Sequence, residues 1–87
     1  LGHPSGGRFL GAALPGMIQD LRLFLKAYPV AKSRVLAAHD THYPGCVRTQ
    51  LAYHETRTEL TRRGLADNDI TGAVIYIAVG FAYLLNR

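Results

Sequence analysis

Apolar positions change their spacing along the chain, and each change marks an element. From Gly16 to Tyr28, Met17, Ile18, Leu21, Phe24, Leu25 and Tyr28 recur three and four apart, with Gln19, Asp20, Arg22 and Lys26 between them. That period predicts an amphipathic helix over about residues 16–28. Pro15 suits its first turn, and Pro29 is expected to stop or kink it. VAKSRVLAAH then reads as a second short helix with Val30, Val35, Leu36 and Ala38 inward. Asp40 to Gly45, DTHYPG, reads as a turn by its Asp, Pro and Gly content.

The segment CVRTQLAYHETRTELTRRG is mostly polar, with a thin stripe of Val47, Leu51 and Leu60. Its end is sharply marked. Arg62 and Arg63 suit the negative end of a helix, and Glu59 stands four residues before Arg63. Gly64 fits the left-handed position after the last turn, which pairs Leu65 with Leu60 in a Schellman stop. A helix over about residues 46–63 is expected to close there. Asp67, Asn68 and Asp69 are capping residues and announce a further helix starting near Ile70.

The closing run, DITGAVIYIAVGFAYLLNR, carries no charge over the sixteen positions from Ile70 to Leu85. A buried strand would suit Val74, Ile75, Tyr76, Ile77 and Val79, yet nothing upstream offers a pairing strand. A helix buried in a bundle needs cover on every side, and residues 46–63 offer only a narrow apolar stripe. A membrane span from Asn68 to Asn86 would be about 28 Å long against a hydrocarbon core of about 30 Å. The span is the expected form. On its wheel Gly72, Tyr76, Gly80 and Tyr83 share one sector, a face on which a helix of another subunit would pack. The expected fold is therefore all-α: an irregular arm over residues 1–15, two or three short helices in an extramembrane region over 16–64, and a single transmembrane helix over 68–86.

The arm expectation rests on composition. Residues 1–16 hold five glycines and two prolines, with Phe9, Leu10 and Leu14 as its apolar contacts. The chain has 87 residues, enough for one domain with a marginal core. Its net charge is +4, and nine of its ten Lys and Arg residues precede Asp67. The positive-inside tendency puts that side of a span in the cytoplasm or the mitochondrial matrix. The cations form no block longer than Arg62–Arg63 and do not alternate with aromatics, so nucleic acid is not an expected partner. A single cysteine, Cys46, rules out a disulfide within the chain.

Candidate chemistry is thin. His39, His42, Cys46 and His54 are all competent metal ligands, but their spacing lacks the paired ligands of a zinc site. Glu55 and Glu59 share a helix face that reads as solvated surface. The glycines of GHPSGG lack the Lys-Ser/Thr ending of a phosphate loop. No catalytic residue, metal ligand, cofactor or small-molecule substrate is expected. Taken together, these features suggest a small non-catalytic accessory subunit of a membrane complex. Its partners would be other subunits and the lipid bilayer. By analogy of class, the mitochondrial respiratory chain or ATP synthase in the inner membrane is the expected setting, with the basic region on the matrix side. The alternative is a soluble α-helical interaction module with a buried C-terminal helix.

Overall fold

The structure, a computed structural model, describes the backbone of residues 4–87 and the side chains from Gly16 onward. All regular structure among the described residues is helical. Helix α1 runs Pro4–Ala37, α2 runs Gly45–Arg62 and α3 runs Gly72–Leu85, with a short 3₁₀ turn at Asp67–Asp69 before α3. The α1 bounds take in residues 4–15 of the expected arm. Residues 1–3 lie outside the described residues, as do the side chains of Phe9, Leu10 and Leu14.

Pro29 does not divide the first helical region, which corrects the two-helix expectation. Helix α1 passes through it unbroken. A proline inside a helix loses one backbone hydrogen bond and costs about 3 kcal/mol. Here Pro29 is solvent-exposed, while Ala27, Val30, Ala31 and Val35 are buried on the inner face. The core-facing row therefore continues across the proline, and its packing offsets the local cost.

The Schellman stop is present as expected. The Leu65 N–H donates to the Leu60 carbonyl at 3.1 Å, and the Gly64 N–H donates to Thr61 at 3.0 Å. Gly64 has φ +98°, a conformation open to glycine at little cost. Leu60 is fully buried and Leu65 packs against the same core. Glu59 accepts from both Arg62 and Arg63, which ties the last turn together.

The tail differs from its expected form. No helix among the described residues is long and apolar enough to cross a membrane. The transmembrane span expected over 68–86 is replaced by the turn at Asp67–Asp69 and a helix of 14 residues. Such a helix is about 21 Å long at 1.5 Å per residue, well short of a hydrocarbon core of about 30 Å. Its inner face is covered by the chain itself. Val74, Ile75, Ala78, Val79 and Ala82 join Leu23, Ala27, Ala31 and Val35 of α1 and Ala52 and Leu60 of α2 in one apolar cluster. Of the stripe expected on α2 only Leu60 is buried: Val47 and Leu51 are exposed, and the row facing the core is Ala52, Thr56 and Leu60, whose small members let the three helices approach closely.

Candidate interaction face

Helix α3 has two sides with different fates. Toward α2 it is held by tyrosines. The rings of Tyr53 and Tyr76 stack with centroids 3.9 Å apart, and the Tyr76 hydroxyl donates to Gln50 Oε1 at 2.9 Å. A Cβ on Gly72 would stand 2.9 Å from the Tyr53 hydroxyl. A Cβ on Gly45, at the start of α2, would stand 2.7 Å from the Tyr83 hydroxyl. The Arg48 guanidinium lies over the Tyr83 ring, 5.6 Å from its centroid. Of the four residues expected to form a packing face, Gly72, Tyr76 and Tyr83 thus meet α2 of their own chain. Gly80 faces open space, and a Cβ there would meet nothing within 4 Å.

The other side of α3 is uncovered. Ile77, Phe81, Leu84 and Leu85 are all about half exposed or more, reaching 69% at Leu85. On α1 the same holds for Met17, Ile18, Leu21 and Leu25, the last at 62%. The two groups meet across the α1–α3 seam. Phe24 of α1 packs edge-to-face on Phe81 of α3 at 5.9 Å and stacks on Tyr28 at 5.8 Å. At about 100° per residue, Leu21 and Leu25 fall beyond Phe24 and Tyr28 on the side away from the buried row. Ile77 and Leu84 fall beyond Phe81 in the same way. Six large apolar side chains, Ile18, Leu21, Leu25, Ile77, Phe81 and Leu84, therefore line one face, on the side of the bundle away from α2.

The polar side has the opposite character. Glu55 on α2 pairs with Arg34 of α1 at 3.6 Å, and Arg57 reaches Asp67 at 3.4 Å. The Glu59 carboxyl is held below its ordinary 4.5 by the hydrogen bond from Arg63 above all, then by Arg62, against the opposing effect of desolvation. These two glutamates are ion-pair partners on the surface, and their carboxylates are committed to arginines. Among the described residues no group of three His, Cys, Asp or Glu side chains is placed to hold a metal ion. His39, His42, Cys46 and His54 are thus not assembled into a site, and Cys46 is exposed.

The exposed α1–α3 face is not among the features expected from the sequence. Its signal there is the excess of apolar residues in α3, which the pattern alone leaves to lipid or to a foreign helix. What the pattern does not show is that half of them face α1. Comparison of the chain with protein-family models, with curated proteins and with solved structures finds no match.

Proposed function

We propose that the chain is a small non-catalytic accessory subunit of a membrane-associated assembly, held in that assembly by cover of its open α1–α3 face. The observation that carries this reading is the open apolar face itself. A monomer's largest apolar patch is commonly about 300–600 Å² and often functional. Here six large apolar side chains, each about half exposed or more, stand together. Covering one of them contributes roughly 1 kcal/mol, half of the value for complete burial.

The alternative, a soluble helical interaction module with a buried C-terminal helix, is favoured by one specific observation. The inner row of α3, Val74 to Ala82, is sheathed by the chain's own helices. The two readings share the docking face and differ in handling. The accessory subunit pellets with the membrane fraction, whereas the soluble module remains in solution without detergent.

The test is native electrophoresis of detergent extracts containing the full chain at its natural level. The wild-type chain is expected in a band of high mass. A Leu25→Glu/Leu84→Glu double variant, unchanged in helicity, is expected to run free. Leu51→Glu, on the outward side of α2, is expected to remain in the assembly. A wild-type chain that runs alone at its own mass refutes the accessory role.

A further inference from the structure

The one charge within the apolar face is a cation, Lys32. The chain has six acidic residues, and none lies on this face. Asp20 lines a groove ahead of α3 with Asp69, Arg22 and Lys26. Glu55 and Glu59 are on α2, and Asp40, Asp67 and Asp69 lie in the connections. Cations, by contrast, stand on the face and at its border. Lys32 is exposed and falls within about 20° of both Leu21 and Leu25 on the α1 wheel, in the middle of the apolar row. Arg22, also exposed, lies one turn after Ile18 and borders the same row. Lys26 lies further round, in the groove with Asp20 and Asp69.

A lysine in the middle of an apolar row discriminates between occupants. A second copy of the chain would bring an identical cationic face against this one, with no acid on either side to meet Lys32. A protein surface would have to set an acid opposite Lys32 or bury its ammonium without a partner, which is costly. A lipid surface accepts this arrangement. The apolar side chains enter the acyl boundary, while the lysine stem lies along them and carries its charge up to the headgroups. The cations at the edge then select anionic headgroups.

We propose that the α1–α3 face seats the bundle on an anionic lipid surface, with both helices lying along the headgroup plane. The inference rests on the membrane-associated reading above and names what covers the open face. The structure needs no spanning helix for this: a helix of 14 residues lying in the interface has no thickness to match.

The experiment is cosedimentation of the full chain with phosphatidylcholine vesicles, with and without a phosphatidylglycerol fraction. Each cation near the surface is worth about fivefold in binding. The wild-type chain is therefore expected to bind the anionic vesicles at least about tenfold more tightly than the neutral ones, less so as salt rises. Lys32→Glu is expected to lower affinity for anionic vesicles about tenfold more than it lowers the weak binding to neutral ones. Leu25→Glu/Leu84→Glu is expected to abolish both.

Equal affinity for the two vesicle types, or an undiminished Lys32→Glu variant, overturns the proposal. So does sedimentation equilibrium showing a stable dimer that no longer binds vesicles. Absence of vesicle binding with the native high-mass band retained would sink the lipid inference alone and assign the face to a protein. Vesicle binding by a chain that runs free on native gels would sink the accessory-subunit reading and leave this one standing.

Discussion

Thr56 is the one fully buried polar side chain among the described residues, and its hydroxyl has no hydrogen-bond partner. The other threonines of the helix behave otherwise, and Thr49 donates to the Cys46 carbonyl at 3.0 Å. Thr58 donates to the His54 carbonyl at 2.9 Å and Thr61 to the Arg57 carbonyl at 3.1 Å. Both of those are exposed. An unsatisfied buried hydroxyl costs about 1–3 kcal/mol relative to water. Thr56→Val removes the hydroxyl, keeps the branched shape and leaves helix propensity almost unchanged. The substitution is therefore expected to stabilise the fold by about 1 kcal/mol or more, raising Tm by about 4–8 °C for each kcal/mol in a domain of this size. Thr56→Ser keeps the hydroxyl and removes the methyl, and by analogy with loss of one buried methyl it is expected to cost about 1 kcal/mol. Urea unfolding followed by circular dichroism gives both values, with an unchanged m confirming that stability alone has moved. The expected order is valine, then threonine, then serine. A valine variant less stable than wild type refutes the reasoning, because it means that the hydroxyl is satisfied in solution and that the three helices pack differently around residue 56.

Two glycines of α3 are expected to respond in opposite directions. Gly72→Ala forces a methyl against the Tyr53 hydroxyl, whose ring is pinned by its stack on Tyr76, and is expected to cost about 1 kcal/mol, most of it restored by adding Tyr53→Phe. Gly80→Ala meets nothing and is expected to gain about 0.5–1 kcal/mol from helix propensity, both effects being read from thermal unfolding. Glu59 supplies the pH dependence. Its carboxyl is depressed below 4.5 in the fold, so the stability it contributes is present above that value and is lost as pH falls through the lower folded value. Glu59→Gln is expected to flatten the fall of Tm on the acid side while lowering Tm at neutral pH, and an acid limb identical to wild type would contradict the assignment.

The parts of this fold that are legible in the sequence are those set by a few neighbouring residues. The end of α2 is the clearest, since Leu60, Arg62, Arg63, Gly64 and Leu65 contain all the groups that make the stop, and the hydrogen bonds fall where those groups require. The helical character of α1 is equally local, being written in the spacing of Leu21, Phe24, Leu25 and Tyr28. What cannot be read locally is decided by partners far along the chain. Pro29 stands inside α1 because Ala27, Ala31 and Val35 on either side of it pack on α3, and that packing is not visible at residue 29. The same contact explains the tail. An uninterrupted apolar run is consistent with lipid all round or with protein on one side, and only the row of small residues on α1 and α2 decides how much of it the chain can cover itself. Ala27, Ala31, Ala52, Ala78 and Ala82 are all buried at 1% exposure or less. Small side chains cover little area but let backbones approach, so α1 and α2 close one side of α3 without a wide apolar face on α2. They cannot close the other side, because α1 and α2 both lie on the inner half of the α3 wheel. Ile77, Phe81 and Leu84 are left outside by that geometry, and Leu21 and Leu25 of α1 extend the exposed surface across the seam. The open face is thus a consequence of how few helices the described chain has, and any account of the protein's work has to supply what covers it.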